Sequence, residues 1–357
     1  MNNSLSDRNY LYKRHRLSHQ QIDEWLGENR CKEFMSEKLE RLGAVKHFLT
    51  VTDLFRENDI YFISIKGPLL SQRIYKDASV RLSHDIDFMI DAKDVESGIK
   101  LLLANGYHFA EGVVGPKNML QMELMLKNMH HLSFQSHKGN FCVELHWVLM
   151  HEVPMSLKNQ KEIINQNLTK FVFAGREFVV LNVELEFLYL LIHGAKHAWR
   201  RLKWLVDIKD YPVGEINPER FHNLVKRFKA WRIVSQTNYL LNKIFNVRLP
   251  FNEKSYIPGF FITHALQSIN DDELNISNST SEIMITQCYL WLMFPDLHYI
   301  FKISNIIFLR PGDITAVDLP NKASYYLYRP YSFLKRRVLA TISFPSILRK
   351  NKLSEHP

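Results

Sequence analysis

The 357-residue chain is 46% hydrophobic, 23% charged and 12% aromatic, which excludes intrinsic disorder for most of its length. Its three cysteines are widely spaced and form no CxxC pair, which argues against a disulfide framework. The formal net charge of +9 is concentrated at the two ends, since residues 1–16 carry +3, residues 321–357 carry +7, and the body carries −1.

The first half of the chain predicts alternating strands and helices, because β-branched and aromatic runs separate segments of helical periodicity. A long helix over 33–58 precedes Gly67-Pro68, and the proline suits the first turn of a second helix. The predicted strands are 60–65, 85–90, 107–110, 131–135, 141–147, 171–173 and 178–181. The remaining predicted helices are 69–75, 95–104 and 118–127, with a turn at Lys138-Gly139-Asn140.

After Asn182 the pattern becomes helical, with helices predicted over 184–199, 203–211, 218–228 and 233–245. The apolar stretch 288–309 is interrupted by Pro295, so we expect a packed pair of helices there and no membrane span. The expected fold is α+β: a mixed sheet with flanking helices, then a mainly helical half. The expected domains are 1–182 and 183–357.

The basic ends admit more than one interpretation. The N-terminal residues are basic without an apolar stretch behind them, so we predict no secretory signal and a cytoplasmic location. The Tyr-rich C-terminal tail could contact nucleic acid or an anionic membrane surface. Charge runs of this kind are more often solvated faces, which makes nucleic acid the less favoured partner.

Two aspartates in the strand 85–90 are the most informative chemical signal. Side chains alternate along a strand, so Asp85 and Asp87 share one face while Ile86 and Phe88 enter the core. Neighbouring carboxylates repel each other, and a divalent cation relieves that repulsion. Alone, the pattern is weak evidence, because acids at strand ends often only cap turns.

The strand 141–147 shows the same alternation and places Glu144 and His146 on one face. If this strand lies beside the first, Glu144 completes a set of three acids.

Residues upstream of the acids are suited to phosphate. Lys66-Gly67 lies where a strand turns into a helix, so the backbone can approach an anion there, and Lys66 and Arg81 supply positive charge. Together with the acids, these residues predict a phosphoryl-transfer site.

The same residues carry a family resemblance. The segment KGPLLSQRIYKDASVRLSHDIDFMID (66–91) resembles the uncharacterised bacterial nucleotidyltransferases often found among polysaccharide-biosynthesis proteins, a distant branch of the DNA-polymerase-beta-like superfamily. The resemblance continues through VELHW (143–147), HGAKHAWRRLKWLVDI (193–208) and LPNKASYYLYRP (319–330). It therefore covers nearly the whole chain beyond residue 35.

The resemblance implies a nucleotidyltransferase-like sheet and a role for each matching residue. Asp85 and Asp87 match the metal-binding pair, Glu144 matches the third acid, and Lys66-Gly67 takes the place of the small-residue turn. Two departures concern triphosphate binding more than the metal. Pro68 stands where the wider superfamily has glycine or serine and offers no N–H, and the segment between Gly67 and Asp85 is longer than in most members.

The helix 184–199 carries ionisable residues at spacings of three and four, which place them on one face: His193, Lys196, His197 and Arg200. They form either a polar wall facing the nucleotide or acceptor, or a solvated helix face, and the resemblance favours the wall. We expect Asp207 to pair with Arg201 or Lys203 as a structural contact.

A zinc site is an alternative raised by several scattered residues: His130, His131, His137, Cys142, His146 and His151. Their spacing fits no compact ligand motif, and adjacent His130 and His131 are expected to point to opposite strand faces. Zinc is therefore disfavoured, and a nucleophile centred on Cys142 has no supporting motif.

The leading hypothesis is an enzyme dependent on Mg²⁺ (or Mn²⁺) that transfers a nucleotidyl group from an NTP to a hydroxyl or phosphate acceptor, in polysaccharide biosynthesis if the resemblance extends that far. The expected metal-binding and catalytic residues are Asp85, Asp87 and Glu144. The expected nucleotide-binding residues are Lys66, Gly67, Arg81, His193, Lys196 and His197. The alternatives are a non-catalytic nucleotide-binding or regulatory module and an RNA-modifying nucleotidyltransferase. The intact acids favour catalysis.

Overall fold

The computed structural model describes residues 3–83, 85–137, 141–251, 256–271, 280–308 and 313–335. The predicted turn at 138–140 and the tail beyond residue 335 lie outside these residues.

A seven-stranded mixed sheet carries the acids at its centre. The strands are β1 Phe62–Ser64, β2 Asp85–Ile90, β3 Tyr107–Phe109, β4 His131–Ser136, β5 Cys142–His146, β6 Leu168–Phe173 and β7 Arg176–Leu181. Their spatial order is β3-β4-β5-β2-β1-β7-β6, which makes β2 the middle strand. Strand β2 runs parallel to β5 and antiparallel to β1, and β1 runs parallel to β7.

Helices flank the sheet and make up most of the second half. Those before residue 183 are α1 Arg8–Lys13, α2 His19–Leu26, α3 Met35–Glu57, α4 Pro68–Tyr75, α5 Val95–Ala104, α6 Met119–Asn128 and α7 Leu157–Gln166. Those after it are α8 Val183–Lys196, α9 Leu202–Asp210, α10 Pro218–Phe228, α11 Trp231–Phe245, α12 Gly259–Asn270, α13 Thr280–Met293, α14 Leu297–Phe308, α15 Asp313–Ala316 and a last helix over 322–335. Among the described residues, none of the helices combines the length and apolar character needed to cross a bilayer.

The expected α+β fold, a mixed sheet followed by a mainly helical half, is confirmed. Asn182 caps α8 as the change of pattern suggested, since its side chain accepts a hydrogen bond from the Leu185 N–H at 3.0 Å. Helices α13 and α14 are separated at Pro295, as expected for a packed pair. The division into domains 1–182 and 183–357 remains a prediction.

Helix α8 ends three residues earlier than predicted because the chain folds back on itself. Ala198 and Trp199 have φ of 49° and 55°, and the Trp199 N–H donates to the Gly194 carbonyl at 3.0 Å. The Trp199 ring packs so closely on Gly194 that a Cβ there would lie 2.2 Å from a ring carbon. A glycine is therefore required at 194, and this turn leads directly into α9.

Side chains alternate along β2 and β5, so one face of the sheet belongs to the core and the other to the candidate site. Ile86 and Phe88 of β2 and Val143 and Leu145 of β5 are buried in a core formed with α3 and α5. The residues between them consequently point to the opposite face of the sheet, toward the helical half. The acids of interest lie on that face.

The N-terminal segment packs into the helical half. Leu11, Leu17 and Ile22 are fully buried in the same core as the apolar residues of α8 and α9. The His15 ring sits between these elements, and its Nδ1 accepts a hydrogen bond from the Leu202 N–H at 3.2 Å. Burial, together with the charge of Arg14, lowers the pKa of His15 to about 3.

His15 should make the protein less stable as the pH falls from about 6.5 toward 3. The unfolded chain takes up a proton in this range that the folded chain refuses, at up to about 1.4 kcal/mol per pH unit. The change His15→Asn keeps an acceptor for the Leu202 N–H but does not titrate. We expect it to flatten the dependence of the unfolding free energy on pH, measured by urea denaturation at pH 7.0, 6.0 and 5.0. The matched control is His108→Asn, at an exposed histidine of β3. Equal slopes for wild type and His15→Asn would contradict the prediction.

Candidate active site

Two carboxylates and an imidazole converge on the helical side of the sheet. Asp87 of β2 lies opposite Glu144 of the neighbouring β5, so the two strands are adjacent as the acid pattern required. The His146 Nε2 is 3.1 Å from the Asp87 Oδ1 and 3.2 Å from the Glu144 Oε2. These three residues offer ligand atoms within 4.8 Å of one another.

Asp87 is held as an anion by a buried cation. Its side chain is 1% exposed, and its Oδ2 lies 3.6 Å from the Nζ of Lys66, which is buried as well. Burial acts to raise the pKa of Asp87, but the charge of Lys66, followed by the contact with His146, holds that pKa well below its usual range. Burial likewise opposes the charge of Lys66, and the carboxylate of Asp87 nevertheless raises its pKa.

Glu144 and His146 behave differently from Asp87. Burial raises the pKa of Glu144, and the charge of Asp87 adds to this effect, although the hydrogen bond from His146 opposes it. Burial acts to lower the pKa of His146, but its bonds to Asp87 and Glu144 raise it overall. The cluster thus combines one firmly ionised acid with one that holds a proton more readily.

The donor set fits a divalent cation that prefers oxygen ligands. In the described part of the chain, the buried Oδ2 of Asp87 and Nδ1 of His146 have no hydrogen-bond partner. Two carboxylates suit Mg²⁺ or Mn²⁺, and a cation at this Oδ2 would share it with the ammonium of Lys66. Asp85 lies two residues before Asp87, half-buried, and lines the cavity beside this cluster.

A cavity of about 470 Å³ lies between the sheet and helices α8 and α9. The strands and the segments next to them contribute Lys66, Arg81, Asp85, Glu144 and His146. The facing wall contributes His193, Lys196, His197, Arg200 and Lys203. The structure therefore brings the residues of the predicted helical face into the same cavity as Asp85 and Glu144, whereas Asp87, at 1% exposure, lies beneath the lining. Gly67 adopts a φ of 69° and precedes α4, but it is not among the residues that line the cavity.

The facing wall combines neutral and charged donors. Burial lowers the pKa of His193 and of His197 well below the usual range, so both rings are uncharged near neutral pH. His197 stacks on Trp204 at 5.0 Å between ring centroids. The Nζ of Lys196 lies 2.9 Å from the Glu152 Oε1, so a salt bridge forms part of the lining of the cavity.

Asp207 has a different partner from the one expected. The Arg81 Nε donates to the Asp207 Oδ2 at 2.8 Å, and both side chains are almost completely buried. Pairing with Arg201 or Lys203 was the wrong expectation, because Asp207 lies on the face of α9 that packs toward the segment before β2. Arg81 thus joins the two halves of the chain next to the acids.

The expectation that His130 and His131 point to opposite faces is also wrong. Their ring centroids are 4.3 Å apart, and both line the cavity. Strand β4 begins at His131, so the alternation of a strand does not govern the residue before it. Burial raises the pKa of the Cys142 thiol to about 12, which agrees with the absence of a nucleophile motif there.

Sequence reasoning placed His146 on the face of Glu144 without giving it a role, and it assigned no site role to four other residues of the cavity: Glu152, Tyr189, Lys203 and Trp204. His146 had a usable signal, because it alternates with Glu144 on one strand face. No sequence signal pointed to Lys203, because its position depends on the turn that follows α8. Burial and the charge of Arg81 lower the pKa of Lys203 to about 8.

Comparison with known proteins identifies a family and a solved structure that resembles part of the chain. The family profile described as "Uncharacterised nucleotidyltransferase" matches residues 10–246. The crystal structure of the lincosamide antibiotic adenylyltransferase LnuA, lincomycin-bound, matches 40% of this chain and 83% of its own with 16% sequence identity and a TM-score of 0.29. No curated protein matches the chain.

The Arg81–Asp207 pair should contribute strongly to stability. The change Asp207→Ala leaves the charge of Arg81 buried without its partner, and we expect it to lower the unfolding free energy by about 3–5 kcal/mol. The matched control is Glu96→Ala, which removes the exposed Lys100–Glu96 pair at 2.7 Å. That change should cost at most about 1 kcal/mol. Urea denaturation measures both, and equal losses would show that burial does not set the strength of the Arg81 pair.

Proposed function

Because the chain belongs to the uncharacterised nucleotidyltransferase family, we propose that it transfers a nucleotidyl group from an NTP to a hydroxyl or phosphate acceptor in the cavity between the sheet and α8. The observation that best supports this proposal is the meeting of Asp87 and Glu144 across two central strands, opposite a wall of cationic and imidazole side chains. Such a cavity offers carboxylates for the metal ion and nitrogen donors for the phosphates, both of which the reaction requires.

In this proposal Asp85, Asp87 and Glu144 bind Mg²⁺ or Mn²⁺. Asp87 suits this role because Lys66 keeps it ionised and because its buried Oδ2 accepts no hydrogen bond from the described residues. Asp85 lies on the same strand face at the cavity, two residues away. When bound, the cation neutralises phosphate charge and polarises the reacting phosphoryl group.

The cationic residues hold the triphosphate and favour the leaving group. Lys66 and Arg81 lie on the sheet side of the cavity, and Lys196 lies on the opposite wall. His193 and His197 add neutral N–H donors from the same helix. Gly67 lies outside the lining of the cavity, so its backbone would reach a phosphate only from the turn between β1 and α4, where Pro68 supplies no N–H.

The proposed reaction is a single displacement at the α-phosphorus of the NTP. The acceptor oxygen forms a bond to this phosphorus, the bond between the α-phosphorus and the bridging oxygen breaks, and pyrophosphate leaves with the electron pair. The acceptor proton passes to Glu144, whose Oε1 lies 3.4 Å from the Ser133 Oγ and whose carboxylate faces the cavity.

Removing the charge of a proposed metal-binding acid should strongly reduce turnover. We expect Asp85→Asn and Glu144→Gln to reduce metal-dependent pyrophosphate release by about 100-fold or more, as loss of a charge that stabilises the transition state usually does. Both changes preserve side-chain size. Asp87→Asn should do the same but also lower stability, because the charge of buried Lys66 is left without its carboxylate. Release is measured with each of the four NTPs, with and without Mg²⁺ or Mn²⁺.

The matched control is Asp91→Asn, directly after β2, whose carboxylate bonds to exposed Lys161 outside this cavity. It should retain wild-type turnover. Full metal-dependent activity of folded Asp85→Asn and Glu144→Gln would contradict the site assignment. The acceptor panel contains saccharide hydroxyls, sugar phosphates and RNA. Nucleotide binding without release on any acceptor would favour the non-catalytic module, and release with RNA alone would favour RNA modification.

The helical wall should contribute to nucleotide binding. We expect His193→Ala combined with Lys196→Gln to weaken NTP binding about tenfold or more, equivalent to about 1.4 kcal/mol per tenfold. Glutamine at 196 keeps a donor for Glu152 and so limits the loss of stability. Calorimetric titration with a non-hydrolysable NTP and Mg²⁺ measures the affinity.

The control for this variant is His222→Ala combined with Lys226→Gln, which changes the same residue types on the exposed face of α10. It should leave nucleotide affinity unchanged. Unaltered binding in the α8 variant would instead confine the nucleotide site to residues 1–182 and leave the helical half to the acceptor.

A further inference from the structure

We propose that the chain carries a second metal site, for a divalent cation that prefers imidazole ligands, such as Zn²⁺, formed by His130, His151 and Glu152. These residues offer ligand atoms within 4.8 Å of one another, a separation that side-chain rotation can close around one ion. They line the same cavity as Asp85 and Glu144 but share no residue with the Asp87–Glu144–His146 cluster.

The sheet brings the three ligands together. Strands β4 and β5 pair antiparallel with His131 opposite His146, and the His130 carbonyl accepts the Trp147 N–H at 3.0 Å. After β5 the chain bends, which carries residues 151 and 152 back toward the start of β4. The His130 and His151 rings are nearly parallel, with their centroids 5.7 Å apart.

The ligand types distinguish this site from the acid cluster. Two imidazoles and one carboxylate are a ligand set that zinc and similar transition metals favour, and one position of a four-coordinate ion would remain for another ligand. The acid cluster has two carboxylates and one imidazole, so oxygen ligands predominate there and suit a harder cation. The two sites therefore differ in the metal each should select.

The protonation of the three residues is compatible with a metal. Burial lowers the pKa of His130 and of His151, so both imidazoles have a free lone pair near neutral pH. Burial acts to raise the pKa of Glu152, but the charge of Lys196 lowers it below the usual range. Each residue thus has the charge state that metal binding requires.

Lys196 contacts one oxygen of the Glu152 carboxylate and leaves other lone pairs of that carboxylate available to a metal. Its Nζ lies 2.9 Å from the Oε1, and an ionised carboxylate has about four lone-pair positions for acceptance. A cation bound by Glu152 would repel the lysine ammonium, so metal binding and the Lys196 contact compete. The lysine also supplies a counter-charge for Glu152 when no metal is present.

Zinc binding by the full-length, metal-free protein tests the proposal. We expect one Zn²⁺ per chain in competition with a chromogenic chelator, together with a rise in melting temperature on addition of zinc. The variants His130→Ala, His151→Gln and Glu152→Gln should each weaken zinc binding by more than about 100-fold, since even loss of an outer-shell partner costs roughly 10–100-fold. Co²⁺ in place of zinc should give d–d absorption that these variants lose.

The controls separate this site from the acid cluster and from surface histidines. His108→Ala, at an exposed histidine of β3, and Glu144→Gln should keep wild-type zinc affinity. If His151→Gln fails to fold, the zinc affinities of two other variants test the site. These are His130→Ala, at a half-buried residue, and Glu152→Gln, which conserves side-chain size.

Absence of zinc binding by the wild type would overturn the proposal. It would also be overturned if Glu144→Gln abolished zinc binding while Glu152→Gln retained it, because the ion would then lie in the acid cluster. Either result leaves the expected pyrophosphate release intact, since that prediction depends on Asp85, Asp87 and Glu144.

Discussion

The buried carboxylate of Asp87 is the constraint on which the site depends. An ion at 1% exposure costs several kcal/mol to desolvate unless partners compensate for it. Lys66 from the end of β1 and His146 from β5 are those partners, at 3.6 and 3.1 Å. Three separate segments of the chain therefore meet at Asp87: the end of β1, strand β2 and strand β5.

The second half of the chain completes the cavity through one turn. Helix α8 runs along the acid face of the sheet, and the fold-back at Trp199 against Gly194 sends α9 across its end. Asp207 of α9 then reaches Arg81, just before β2. Two buried ion pairs, Lys66–Asp87 and Arg81–Asp207, thus lie beside a single cavity, and the second of them joins the sheet side to α9. This arrangement explains why cationic residues distant in sequence face the acids.

The cavity is rich in nitrogen donors of two kinds, cationic lysine and arginine side chains and buried imidazoles. Burial lowers the pKa of His130, His193 and His197 and leaves them neutral, whereas neighbouring carboxylates raise the pKa of Lys66 and of Arg81 and keep both charged. Neutral imidazoles can bind a metal or donate to a phosphate oxygen without repelling a cation beside them. The chemistry proposed for the two clusters therefore needs both kinds of group: cations that balance phosphate charge, and neutral imidazoles that bind a metal or donate a hydrogen bond.

Sequence periodicity alone was sufficient for the α+β class, the bounds of β2 and α5, the shared face of Asp85 and Asp87, and the spacing on α8. These features are local, because side-chain direction repeats every two residues in a strand and about every 3.6 in a helix. Only the tertiary structure decided that Asp87 pairs with Lys66 and His146, and that Asp207 pairs with Arg81. It also decided that His130 meets His151. Such contacts join residues far apart in the chain, and desolvation in the folded interior, which no local pattern encodes, determines their protonation.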